Sequence, residues 1–307
     1  MDISIIKDRM YLGLSNTGKF FSDLGKKIFR FFRHPGEATK TCYLLLICGF
    51  LGFILTWADH YATVPMGGDY TLQMMTFPYK FYDDWHEFFR TGVFPAWDWS
   101  VFLGIDNVGG NAFYCMFSPF TLLSLLFPRS WLLALQGLGI PLKMTLAGML
   151  FYWYLSEFEL SPKIKRVGAL SYGFCGWIFS YLWFHFINSF PFLPLVFLGV
   201  ERLLKKRDPK ILMVGYLLSA MTNYFFFVEF MFGGFFYWVF RYFQTLKTRT
   251  KDGNWAVLGV SFIGFLVSVM LGCFTLLPGI SMALGMPRVT NATSEGYFKE
   301  LLAAIKE

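Results

Sequence analysis

The run WLLALQGLGIPLKMTLAGMLFYWYL, Trp131 to Leu155, holds a single charged side chain, Lys143, in 25 residues. A helix needs about 20 apolar residues to cross a bilayer. Lys143 comes about twelve residues in, so about 18 Å below the outer end at 1.5 Å per residue. A charge at such depth is costly, and it faces a cavity or a partner. The other charge inside an apolar run is Glu229. Two readings stay open: a structural Lys143–Glu229 pair, and a site at Lys143 for a lipid phosphate.

The rest of the composition agrees with this stretch. The chain of 307 residues is 55% hydrophobic, with 39 Phe, 16 Tyr and 10 Trp, and only 15% of it is charged. A soluble domain carries about 25% charged residues. With no alternating strands, the backbone groups must be satisfied within helices, and an all-α integral membrane protein is expected, a multi-span helical bundle. The five cysteines lie in or beside apolar runs without C-x-x-C pairing, which reads as membrane-packed thiols. The net charge of +7 is spread over the segments between spans, which argues against nucleic acid as a partner.

Residues 1–40 read as a basic cytoplasmic tail, with an amphipathic stretch over residues 18–33 that lies on an anionic leaflet. No cleavage site follows, so the first span, Thr41 to Ala58, stays as an anchor with the amino terminus inside. A transmembrane domain over residues 41–277 contains about seven helices and an external loop, residues 59–130. The apolar run 112–127 is short and cut by Pro119, so it is read as re-entrant or interfacial. The spans after Trp131–Leu155 are Val167–His185, Phe190–Leu204, a short pair Ile211–Thr222 and Asn223–Phe240, and Trp255–Leu277. This order keeps KIKR, ERLLKKRDPK and RYFQTLKTRTK inside. Residues 278–307 are expected outside, as the start of a truncated region.

Polar chemistry concentrates in the loop that begins after the first span. Residues 58–111 carry seven of the chain's twenty acidic residues, Asp59, Asp69, Asp83, Asp84, Glu87, Asp98 and Asp106, against only Lys80 and Arg90. Walker, H-E-x-x-H and G-x-S-x-G motifs are missing, and the four histidines are isolated in sequence, so no metal site is assigned. The sharpest feature is Gly67-Gly68-Asp69-Tyr70-Thr71-Leu72-Gln73: a tight turn, then a carboxylate placed to cap a helix or to act in catalysis. Asp83, Asp84 and Glu87 read as a solvated helix face. Asn223 and Tyr224, at the turn of the short pair, are placed to face this loop.

The succession GGDYTLQ, GIDNVGGN, FSPFTLLSLLFP, LKMTLAGMLFYWYL, FPFLPLVFLGVERLLKK and SAMTNYFFF resembles the amino-terminal half of the YfhO family of bacterial membrane proteins. The match covers roughly residues 41–280 of a family whose members are usually longer. The resemblance implies a GT-C glycosyltransferase fold in the cell membrane. It implies transfer of a sugar from a polyprenyl-phosphate donor to an extracellular cell-envelope polymer such as a teichoic acid. It places the catalytic carboxylate at Asp69, as general base. Positive charge near the leaving phosphate falls to Lys143, Lys80 or Arg129, with a divalent cation as another source. Gln73 and Asn111 would hold sugar hydroxyls, and Trp85, Trp97 or Trp99 would stack on a sugar face. Two other classes fit the same spans: a transporter or flippase of lipid-linked sugar, and an inactive membrane scaffold. No inverted repeat shows, which counts against a transporter.

Overall fold

The computed structural model describes residues 22–23, 25–27, 29–30, 33, 35–54, 73, 75–100, 104–180 and 182–285, and the helical backbone of 55–60. Two compact units are distinguished, residues 1–44 and 45–307. In the first, the described residues between 22 and 33 are helical and exposed. The helix α1 (Glu37–His60) begins in this unit and continues into the second.

Among the described residues, four helical stretches are long and apolar enough to cross a membrane. They are Glu37–Ile54 in α1, Arg129–Leu155, Phe184–Lys206 and Lys251–Leu284. The chain is an all-α membrane protein, its only described strands being the two-residue β1 (Trp97–Asp98) and β2 (Ile105–Asp106). Between α1 and the second candidate span lie α2 (Phe77–Thr91), the β1–β2 hairpin, α3 (Asn107–Asn111) and α4 (Pro119–Ser124). The apolar run at 112–127 forms no spanning helix: a 3-10 turn over Ala112–Tyr114 is followed by six-residue α4. The second candidate span is chiefly α5 (Leu132–Leu155).

The expected continuous span Val167–His185 is corrected by the structure. That stretch is α6 (Pro162–Gly173), α7 (Gly176–Ser180) and the first turn of α8 (Phe184–Ser189). Trp183 is extended at φ −64°, ψ 135°, and breaks the path ahead of α8. Apolar composition is the same in a broken helix as in a whole one, so hydropathy did not show the breaks.

After α9 (Phe192–Lys206), the left-handed Arg207 at φ 55° closes the helix with its N–H on Leu203 O. Asp208 accepts from Lys210 N at 3.1 Å and starts α10 (Lys210–Thr222). At 1.5 Å per residue α10 is roughly 20 Å long, short of the roughly 30 Å hydrocarbon core. Asn223 then caps α11 (Tyr224–Gln244), accepting from Phe225 N and Phe226 N. The last helix, α12 (Lys251–Leu284), runs on through Pro278, past the expected end at Leu277. Its buried face includes Gly253, Val257, Ser261, Gly264, Ser268, Gly272, Thr275 and Gly279. Such small residues let membrane helices approach closely. Thr275 Oγ1 donates to Ala220 O of α10 at 3.0 Å.

A close backbone contact joins α9 to α10. A Cβ on Gly199 would stand 2.9 Å from Leu212 Cβ and closer still to the Leu212 backbone. The backbone of a helix cannot give as a side chain does, so Gly199→Val should cost about 1–3 kcal/mol. Its thermal midpoint in detergent is expected to fall by several degrees. Gly233 of α11 has nothing within 4 Å of the same position. Gly233→Ala should leave the midpoint unchanged or raise it, since Ala is favoured over Gly in a helix by about 1 kcal/mol. Equal effects of the two substitutions would contradict this packing.

Candidate functional site

The segment between α1 and α5 is built on α2, which presents three faces. Phe77, Phe81 and Trp85, four residues apart, turn to the core, where Phe81 is fully buried. Trp85 Nε1 donates to Met116 O at 3.0 Å, and its ring meets Phe94 and Phe117 edge-on. On a second face, Lys80 Nζ stands 2.9 Å from Asp84 and 3.1 Å from Asp98 Oδ2. The Asp98 contact lies off hydrogen-bonding angles and acts as a charge pair. Asn107 donates to Asp84 at 3.0 Å and to Pro95 O at 2.7 Å, and Asn111 donates to Asn107 at 2.7 Å. On the third face, Arg129 pairs with Asp83 at 2.9 and 2.8 Å and covers the Tyr79 ring.

Irregular backbone between α3 and α4 is tied down by side chains. Asn223 Nδ2 donates to Phe113 O at 2.7 Å, and Thr121 Oγ1 donates to Cys115 O at 2.8 Å. Cys115 itself is left-handed, at φ 69°, and burial pushes its thiol up to about 12. That thiol packs as a structural group rather than as a nucleophile.

Between α4 and the first half of α5 lies a groove of about 560 Å³, within the range of small-ligand sites. Its walls are apolar, with Phe120, Leu126, Leu135, Leu142 and Leu146 among them. Lys143 lines it, 7% exposed, with no ion pair or hydrogen bond to a described residue. Its ammonium lies over the face of Phe120, 5.2 Å from the ring centroid. A cation–π contact offsets about 0.5–2 kcal/mol, far less than the hydration a buried ammonium gives up.

These placements sort the candidate residues. Lys80 and Asn111 share one network through Asp84 and Asn107, so both are already engaged. Arg129 is engaged with Asp83. Asn223 spends its amide on Phe113 and on capping α11, and Tyr224 packs its ring 6.0 Å from Phe113 and against Gly279. Gln73 is half-buried, and its carbonyl accepts from Thr76 N at 3.2 Å. Asp69 and its glycine turn, with Asp59, lie outside the residues whose side chains are described. Glu229 is exposed and does not pair with Lys143, so the structural-pair reading fails. Asp84 is no solvated carboxylate, since its side chain is 14% exposed between Lys80 and Asn107. Trp85 is a core anchor, whereas Trp97 and Trp99 are exposed on the hairpin.

Sequence reasoning passed over Gln136 and Asn188, which also line the groove. Gln136, seven residues before Lys143 in an apolar run, was the available signal. It also passed over Glu201, 1% exposed, which is held by Tyr237 at 2.6 Å and by Arg241 at 2.5 and 2.9 Å. Glu201 is fully satisfied and reads as the anchor of α9 on α11.

Burial pushes the Asp98 carboxyl up, but the Ser100 hydroxyl and amide and the Lys80 ammonium hold it below its ordinary 3.8. A carboxyl depressed in the folded state stabilises above its unfolded value, and that stability is lost as pH falls through the folded one. Protection of the hairpin amides, relative to their intrinsic exchange rates, should therefore fall below about pH 4. Asp98→Asn should speed exchange at pH 7 and flatten this acid dependence. An unchanged profile in the variant would contradict the assignment.

The family model of the bacterial membrane protein YfhO matches residues 42–304, nearly the whole of the second unit. No curated protein and no solved structure matches the chain. The order of apolar helices, the loop segment packed beside α5 and the extent of this match lead to one conclusion: the chain belongs to the YfhO family of bacterial membrane proteins.

Proposed function

We propose that this protein transfers a sugar from a polyprenyl-phosphate donor to an extracellular cell-envelope polymer such as a teichoic acid. The observation that carries the reading is Lys143: a buried ammonium without a counter-ion among the described residues, in an apolar groove of about 560 Å³. Such a group costs stability and is kept where an anionic ligand completes it. The apolar walls suit an isoprenoid tail, and the ammonium suits the phosphate.

In this reading the amino terminus is cytoplasmic, and residues 59–130 and 278–307 are external. Asp69, in the first external loop, takes the proton from the acceptor hydroxyl. The acceptor oxygen bonds to the anomeric carbon, the bond from that carbon to the phosphate oxygen breaks, and its electron pair leaves on the lipid phosphate. Lys143 stabilises that developing charge. Gln73 supports the sugar. Lys80 and Arg129, engaged with carboxylates, shape the loop rather than hold phosphate. Described residues lining the groove include no carboxylate, a poor donor set for a divalent cation, so no step is routed through one.

The purified chain in detergent should turn over a polyprenyl-phosphate sugar, which a flippase would not do without a sealed bilayer. Lys143→Met should lower transfer by about 100-fold or more. It should also raise the thermal midpoint by about 2–4 °C, because about 1 kcal/mol or more of uncompensated burial is relieved. Asp69→Asn should lower transfer by about 100-fold or more. Undiminished transfer in either variant, or a destabilised Lys143→Met, would overturn the corresponding assignment.

A further inference from the structure

The groove beside α5 holds two more unsatisfied polar atoms, and they differ in kind. Asn188 is 3% exposed and lines the groove. Its side chain lies close to the Cys115 thiol, and its Oδ1 has no hydrogen-bond partner among the described residues. Gln136 lines the same groove, and its Nε2 has no partner. Buried polar atoms of this kind are few in native proteins, because a hydrogen bond lost to burial and not regained is costly.

Placement brings the three groups to one stretch of the groove. Gln136 and Lys143 are two turns apart on one stripe of α5. A Cβ on Gly139 would lie 3.7 Å from Lys143 Nζ, so the ammonium has run back a turn toward Gln136. That is the direction in which helical side chains lean. The set offers two donors, Lys143 Nζ and Gln136 Nε2, and one acceptor, Asn188 Oδ1. An ionised phosphate carries only acceptors, so it satisfies the donors and leaves Asn188 unpaired. A hydroxyl next to the phosphate completes the set.

We propose that the groove selects phosphate lipids whose phosphate bears a hydroxylated group, with Asn188 accepting from one of its hydroxyls and Gln136 donating to its oxygens. This rests on the reading of Lys143 as the phosphate-binding cation. Asn188 and Gln136 are then the residues that set specificity. A glycosyl phosphate lipid and a phosphatidylglycerol-type headgroup share this chemistry.

The test uses the full chain in phosphatidylcholine nanodiscs and three probes: dodecyl phosphate, dodecyl glucosyl phosphate and lysophosphatidylglycerol. At least one hydroxylated probe should bind about tenfold more tightly than dodecyl phosphate. Asn188→Leu should bring that ratio to near one. Gln136→Leu, at a half-buried position that tolerates change, should lower it as well and serves if Asn188→Leu does not fold. Tighter binding of the glucosyl probe than of the glycerol probe identifies the carried group as a sugar. The reverse identifies a bulk phospholipid headgroup, and either order with a collapsed ratio supports the selection. No preference in the wild type, or an unchanged ratio in both variants, overturns it. Lys143→Met that binds all three probes as the wild type does overturns the earlier reading instead.

Discussion

Within a bilayer every backbone N–H and C=O must be paired inside the protein, and the layout of this chain follows from that requirement. Long helices meet it by themselves. Irregular backbone at membrane depth is tolerated where it is buried in protein or lines a cavity. The two interrupted regions, 112–131 and 174–191, both have residues in the same buried cluster, where Cys115 and Met116 meet Ile178 and Ile187. Side chains from other elements supply the missing bonds: Asn223 to Phe113 O, Trp85 to Met116 O and Tyr172 to Phe190 O. The breaks are thus gathered beside the groove that Phe120, Lys143 and Asn188 line.

The distribution of charge separates structural groups from free ones. Glu201 and Arg241, Asp98 and Lys80, and Asp83 and Arg129 are each matched across elements. Such matches fix helices and the hairpin in place. Lys143 stands outside this pattern: among the described residues it pairs with no carboxylate, and its ammonium lies over the Phe120 ring face. A second apolar groove of about 680 Å³, between α11 and α12, has no charged residue in its lining. The contrast is what gives the α4–α5 groove its chemical character.

Much of this was legible in the sequence, and the reasons for the rest are physical. Apolar runs of sufficient length disclosed the membrane class, and four of the roughly seven expected spans fall on stretches long and apolar enough to cross; a lone lysine in one of them disclosed Lys143. Pro119 told correctly against a span at 112–127. The breaks at Gly173–Gly176 and Trp183 were hidden, because hydropathy averages over backbone direction. Lys80 and Arg129 looked free because their partners are set by folding: Arg129 reaches Asp83 across 46 positions. Gln136 and Asn188 were missed since an amide barely disturbs an apolar average, and its orphaned state exists only after the neighbouring helices are packed.

The central claim is that the groove beside Lys143 takes a lipid phosphate. Photolabelling the full chain in nanodiscs with a prenyl phosphate carrying a diazirine in its tail, followed by peptide mapping, tests it most directly. Labels are predicted on Pro119–Phe127 and Leu132–Leu146, competed by unlabelled prenyl phosphate and lost in Lys143→Met. Labels spread over the α11–α12 groove, indifferent to competitor and to Lys143, would contradict the account.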